Sequence, residues 1–271
     1  MYEEYWGLTE KPFQNTPDPR FFYQSPDHEE VLTKMLYTVE ENMGAGMLTG
    51  VFGCGKTVIA HALFDRLPPD KYKIALITNP QIDYIELLRS IVRNLKAVEL
   101  PIKKTELSAD SLLEILGNIL ENNARDGRET TVIIDEAHVI KDERIFEELR
   151  LLLNFQRRDK FLLTLLLFGQ PELKQKIEDN KQLEQRIAIK CHLEAFNEQE
   201  MHKYITHRLR IAGGADSIFD DSAFKTIYSR SGGIPRRINR ICDLSLLIGM
   251  GKAAKVINKE IVEESLQSLG G

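Results

Sequence analysis

The sequence predicts an α/β fold, a parallel sheet sandwiched by helices, followed by a smaller all-helical domain. Three observations predict it. Apolar runs alternate with helical patterns over residues 44–193, as in a parallel sheet with crossover helices. A glycine-rich segment, Gly50-Val51-Phe52-Gly53-Cys54-Gly55-Lys56-Thr57, sits between an apolar run ending at Leu48 and a helical pattern over Val58 to Arg66. After Phe196 the composition changes, and no strand-like run remains.

The glycine-rich segment meets the pattern G-x-x-x-x-G-K-[ST] at every specified position and stands in the strand–loop–helix context which that pattern requires. Glycines let the backbone wrap a polyphosphate with its N–H groups, and the following helix N-terminus adds a favourable dipole. Lys56 is placed to reach the β- and γ-phosphates, and Thr57 to put its hydroxyl on Mg2+. The expected nucleotide contacts are Gly50, Gly53, Cys54, Gly55, Lys56, Thr57 and Val58.

Taken in order, residues 1–26 are rich in proline and aromatics. Pro12, Pro17 and Pro19 disfavour a regular helix there and predict an extended arm laid over the following domain. Its aromatics would either line a base pocket or anchor the arm. Ser25-Pro26-Asp27-His28-Glu29 is a helix start, with a polar cap, an early proline and first-turn acids, and that helix should reach about Asn42. Tyr72 to Thr78 reads as a second buried strand, Asp83 to Leu95 as a helix, Lys96 to Thr105 as a loop and Ser108 to Ala124 as a helix.

Thr130-Thr131-Val132-Ile133-Ile134-Asp135-Glu136 is the second chemical anchor: β-formers run directly into two acids, the Walker B arrangement. Asp135 would hold Mg2+ and Glu136 would act as the general base on the attacking water. His138 reads as a local packing or hydrogen-bonding residue. Glu143 to Arg157 is expected to be one long helix, and Phe161 to Phe168 a central strand ending at Gln170. Gln170 is a candidate for a place beside the γ-phosphate, or else a turn-capping amide. Two short helices, Glu172 to Ile177 and Lys181 to Arg186, precede a fifth strand, Ile187 to Leu193, in which Cys191 reads as buried and inert. Four helices follow, starting near Asn197, Asp220, Pro235 and Asn258. The third carries Arg236, Arg237 and Arg240 near its N-terminal end, where arginine works against the helix dipole, so a partner anion or a solvated basic face accounts for them.

Bulk composition excludes several classes. The 271 residues are 42% hydrophobic and 28% charged, ordinary for a globular protein. No stretch approaches the roughly 20 apolar residues that cross a bilayer, so no membrane insertion is expected. The acidic, aromatic N-terminus is unlike a secretory signal, and a cytoplasmic chain is the reading. Cys54, Cys191 and Cys242 are too scattered for a disulfide framework or a zinc site. A net charge of −5 gives no support for non-specific nucleic-acid binding, although a local basic face stays open.

The ordered motifs Lys11-Pro12-Phe13, Thr16 to Phe21, Gly53 to Thr57, Ile134 to Ala137, Gly169 to Leu173, Gln185-Arg186-Ile187 and Gly233 to Asn239 span the chain, which with them resembles the ExeA/GspA family of AAA+ ATPases. The resemblance implies a five-stranded AAA+ sheet with a helical lid, divided as an arm (1–26), an ATPase core (27–196) and a lid (197–271). It implies ATP and Mg2+ as ligands and ATP hydrolysis as the activity. It implies sensor 1 at Gln170, where many AAA+ proteins have Asn or Thr. It implies an arginine finger at Arg186, acting on a neighbouring subunit, and a sensor 2 arginine at Arg236, with Arg237 as the fallback. Self-association into a hexamer-like ring or a filament follows, with a protein of an envelope, secretion, pilus or exopolysaccharide system as partner. Family members in secretion often continue into a membrane span and a peptidoglycan-binding domain, which these 271 residues do not include. Transposition ATPases such as TnsC are similar in core and lid, which makes an ATP-dependent DNA-binding regulator the second reading.

Overall fold

Five strands pair side by side in the order β2-β3-β4-β1-β5, all parallel. They are β1 (Ala45–Gly50), β2 (Tyr72–Ile77), β3 (Glu129–Ile134), β4 (Thr164–Gly169) and β5 (Ile187–Leu193). This computed structural model describes residues 1–16, 18–95, 108–157 and 160–270; the loop expected over 96–105 lies outside them. The chain divides into two compact units: His28–Phe52 with Ile59–Leu193, and Met1–Asp27 with Gly53–Val58 and Glu194–Gly271.

In the first of these, every residue of β1 and β4 is buried, as continuous apolar runs require of central strands. The edge strand β5 alternates buried and exposed residues instead. The helix expected from Ser25 is α2 (Pro26–Glu40), and the two short ones after β4 are α7 (Glu172–Asp179) and α8 (Lys181–Glu184). Helices α4 (Tyr84–Asn94) and α5 (Ala109–Arg125) start at Asp83 and Ser108, whose side chains accept from Glu86 N–H and Ser111 N–H. Leu87, Leu88 and Ile91 of α4 and Leu112 and Leu116 of α5 join Val132, Ile134 and Leu165 in one core.

Two expected boundaries move. The helix expected to reach Arg157 is α6 (Arg144–Leu152), and β4 starts at Thr164 rather than Phe161. Between them, Gln156–Arg157 and Lys160–Phe161 form a short antiparallel ladder, closed by Leu162 N–H to the Phe155 carbonyl at 2.9 Å. Leu162 and Leu163 are buried without entering the sheet. An apolar run reports burial; pairing decides where a strand begins.

The second unit contains four helices beyond β5: α9 (Glu198–Ile211), α10 (Asp221–Ser231), α11 (Pro235–Gly251) and α12 (Lys259–Ser268). Asn197 and Glu200 form a reciprocal capping box on α9, and Asp220 and Asn258 cap α10 and α12.

The N-terminal arm departs from the extended segment expected of it. It contains a helix, α1 (Tyr2–Trp6), and a 3-10 turn (Pro19–Phe21). Its apolar side chains belong to the C-terminal helices, with Tyr2, Leu8, Phe13 and Phe21 in one core with Met201, Leu209 and Ile241. The aromatics therefore anchor the arm. Buried Arg208 secures it, donating to the Pro12 carbonyl at 2.5 Å, the Gln14 carbonyl at 3.0 Å and the Tyr204 hydroxyl at 2.8 Å. Tyr204 passes the chain on to Asn239 at 2.7 Å, and Asn239 to Asn15 at 3.0 Å. Carbonyls in a non-repetitive segment need such donors once buried.

Gly232 and Gly233, between α10 and α11, share a left-handed backbone (φ +60° and +74°) but not their surroundings. A Cβ on Gly232 would meet nothing within 4 Å, whereas on Gly233 it would lie 1.9 Å from the Phe196 carbonyl oxygen. Gly232→Ala should cost about 1–2 kcal/mol, the left-handed penalty alone. Gly233→Ala adds a backbone clash and should cost about 4 kcal/mol or more. Trp6, the single tryptophan, donates to the Leu246 carbonyl at 2.9 Å, so its fluorescence in a urea titration reads this unit. Equal losses for the two variants would refute the close packing of Gly233 on Phe196.

Candidate functional site

In a parallel sheet every strand delivers its C-terminal end to the same edge, and ligands of open α/β sheets bind there. In the first unit that edge carries Gly50 at the end of β1, Asp135 and Glu136 after β3, and Gln170 after β4. Since β4 lies between β3 and β1, Gln170 falls between the acids and the start of the glycine-rich loop.

The turn after β3 is tightly specified. Asp135 N–H continues the ladder to the Ile77 carbonyl at 2.8 Å, and the Asp135 carboxylate accepts from Glu136 N–H at 2.9 Å. Asp135 is almost completely buried. Glu136 has φ +55°, a left-handed conformation that costs a non-glycine residue about 1–2 kcal/mol. Strain of this kind persists only where the surroundings enforce it. Here Val139 N–H bonds the Glu136 carbonyl at 2.9 Å, and the Lys176 ammonium bonds the carbonyls of His138 and Ile140, each at 2.6 Å.

His138 joins two of the predicted site residues on this edge. Its Nδ1 accepts from the Gln170 backbone N–H at 3.3 Å, and its Nε2 lies 3.4 Å from the Glu136 carboxylate and 2.9 Å from the Gln170 side-chain amide. A neutral imidazole that accepts at Nδ1 carries its hydrogen at Nε2. The Gln170 amide nitrogen is the atom placed beside Nε2, and an Nε2–H calls instead for the amide oxygen there, which a half-turn of the amide supplies. Glu136, His138 and Gln170 thus form a connected carboxylate–imidazole–amide set. The sequence marks His138 as a hydrogen-bonding residue but not its partners; only its position two residues after Glu136 hints at more.

Arg186 stands elsewhere. It immediately precedes β5, at the N-terminal edge of the sheet, half-buried and 3.5 Å from the Asn154 side-chain oxygen. The seven residues of β5 separate that edge from the other by about 20 Å at 3.3 Å per residue, beyond the reach of an arginine side chain.

The remaining predicted residues lie in the second unit. Gly53 and Gly55 have φ +86° and +113°, conformations open to glycine, and helix α3 (Lys56–Arg66) begins directly after them. The N–H groups at the start of such a helix, aligned with its dipole, are suited to an anion. Lys56 and Cys54 are buried, and Thr57 and Val58 half-buried. The start of α11 packs on this loop: Arg236 N–H donates to the Gly53 carbonyl at 3.3 Å, and a Cβ on Gly53 would lie 2.7 Å from the Cβ of Arg236. Arg236 is therefore the arginine beside the loop, whereas Arg237 lines a separate cavity with Arg230 and Arg240.

Each unit's donors fit part of a magnesium triphosphate. In the second, Gly53 leaves a cradle that a side chain would fill, Lys56 has a buried ammonium suited to phosphate oxygens and Thr57 a hydroxyl; in the first, Asp135 has a carboxylate, a hard oxygen donor of the kind magnesium takes. Among the described residues no three His, Cys, Asp or Glu side chains cluster as an all-protein metal cage.

A family model described as "AAA domain" matches residues 39–177. The chain belongs to the AAA family. Its sequence is 35% identical over 265 residues to general secretion pathway protein A of Aeromonas hydrophila, a match that covers 96% of this chain and 47% of that protein. This bears out the ExeA/GspA resemblance for the AAA+ module, and the chain spans about half the length of that relative. Among solved structures, Cdc6p of Pyrobaculum aerophilum superposes with a TM-score of 0.75 at 17% identity, over 96% of this chain and 71% of that one. The ORC2 protein of Aeropyrum pernix, in ADPNP–ADP complexes, gives 0.68 at 19% identity, over 98% and 73%. The AAA+ module thus has the five-stranded sheet and C-terminal helices that its motifs predicted. No helix among its described residues is long and apolar enough to cross a membrane.

Proposed function

We propose that this AAA+ module binds and hydrolyses ATP at a site completed by a neighbouring subunit, and that the cycle drives or regulates assembly of a bacterial envelope complex. The observation that carries the proposal is the opposition of Arg186 and the Asp135–Glu136–Gln170 edge across the sheet. An arginine that cannot reach its own site is suited to another molecule's.

Lys56 and the loop N–H groups hold the phosphates in this reading. Thr57 and Asp135 would hold magnesium, which supplies charge neutralisation on the phosphate oxygens when bound. Glu136 takes a proton from the attacking water, and the Nε2–H of His138 aims its carboxylate while Gln170 orients His138. Arg236, seated on Gly53, follows the loop and reads the γ-phosphate from the helices after Phe196, which serve as the lid. The envelope role rests on the similarity to general secretion pathway protein A, and the ADPNP–ADP complexes of the ORC2 protein support the nucleotide.

The second reading, a regulator that polymerises on DNA with ATP, rests on the arginines of α11 with Lys252 and Lys255. Lys252 is paired with Glu264, which weakens that face. Particle imaging with a non-hydrolysable ATP analogue, with and without duplex DNA, tests both. The proposal expects rings or filaments that need nucleotide and not DNA. Monomers throughout would remove it, and assemblies that form only with DNA would establish the second reading.

A further inference from the structure

The end of α10 and the early turns of α11 border a cavity that the ATPase reading does not use. Arg230, Arg237 and Arg240 line it, at a volume of about 560 Å3, and Ile241 and Leu266 supply an apolar floor. Arg240 and Leu269 also line a neighbouring cavity of about 470 Å3, bordered by Lys11 and Phe13 of the arm. The two share these residues and form one groove along α11.

The arginines of this groove differ from those that are held in ion pairs. Arg20, Arg66, Arg144, Arg150 and Arg210 each pair with a carboxylate. The side chains of Arg230, Arg237 and Arg240 have no hydrogen-bond or ion-pair partner among the described residues. Acids at hand are engaged elsewhere: Glu263, on the wall of the same cavity, pairs with Lys259 at 3.5 Å, and Asp243 accepts from the Tyr2 hydroxyl. Arg237 and Arg240 also stand three residues apart on α11, where like charges repel, and Arg237 lies in the first turn, where the dipole disfavours it. An anionic partner relieves each of these terms at once.

We propose that this groove binds an acidic peptide segment of a partner protein, with carboxylates on the arginines and an apolar side chain on the Ile241–Leu266 floor. Guanidinium forks match carboxylates two bonds at a time. The concave shape and apolar floor suit side chains rather than a nucleic-acid backbone. The proposal is independent of hydrolysis, because binding is measured without nucleotide.

The test is fluorescence anisotropy of a short labelled peptide alternating Asp and Glu with Leu and Phe, titrated with the full chain. Wild type should bind it and ignore a version with the acids replaced by lysine. Arg230→Glu with Arg240→Glu should weaken binding about tenfold or more, as reversal of close charge pairs does. Lys203→Glu, on α9, should stay within about twofold. ATP turnover should be unchanged in the double variant, which shows that it folds. Equal binding by wild type and double variant, or none by wild type, overturns the proposal. So does an oligo-dT strand that displaces the peptide and itself depends on Arg230 and Arg240, which would make the groove a nucleic-acid surface.

Discussion

Glu136→Gln will leave ATP binding intact and cut turnover by about 100- to 10,000-fold, the usual worth of a positioned general base. The amide keeps the size of the carboxylate but cannot take a proton. The backbone at φ +55° is held by the turn and not by this side chain, so the geometry survives the exchange. His138→Ala should lower kcat in the same direction but less, with little change in KM, because it aims Glu136 without touching the substrate. His138→Gln, which retains a donor and an acceptor, should recover part of the loss. Phosphate release and equilibrium binding of a fluorescent ATP analogue measure both variants. Turnover unchanged in Glu136→Gln would remove it as the base, and equal losses in kcat for His138→Ala and His138→Gln would remove the aiming role.

Arg186→Ala will abolish hydrolysis by about a thousandfold or more while preserving ATP affinity, the signature of a finger acting in trans. The sheet gives the reason. Arg186 precedes β5 at the N-terminal edge, and the acids follow β3 at the opposite edge. Its loss therefore leaves the chain's own phosphate-holding residues in place. Lys56→Ala subunits retain an intact Arg186 but bind nucleotide poorly. Mixed with Arg186→Ala subunits, they should restore activity that neither variant has alone. Absence of rescue at every mixing ratio would show that Arg186 acts within its own chain or not at all.

Much of the molecule is legible in the residues because its signals are local. The strand–loop–helix at Gly50–Thr57 needs only glycines at positive φ and a lysine and threonine at a helix start, all within a few residues. The caps at Asp83, Ser108, Asn197, Asp220 and Asn258 bond backbone groups of their own first turns. Where the signal is apolar content alone, boundaries slip, as at Leu152 and Thr164, because burial and pairing coincide only inside a sheet.

By itself, then, the sequence determined the parallel α/β sheet, the helices after it and the two chemical anchors, since each is written in contiguous residues. Tertiary structure alone decided the rest. It attached the arm to the C-terminal helices, because Arg208 meets the carbonyls of Pro12 and Gln14, 196 and 194 residues away in sequence. It chose Arg236 over Arg237 for the loop, because only one of two adjacent side chains can lean on Gly53. It made His138 the link between Glu136 and Gln170, because strand order brings the ends of β3 and β4 together at one edge. Each depends on contacts between residues far apart along the chain, whose partners no local pattern records.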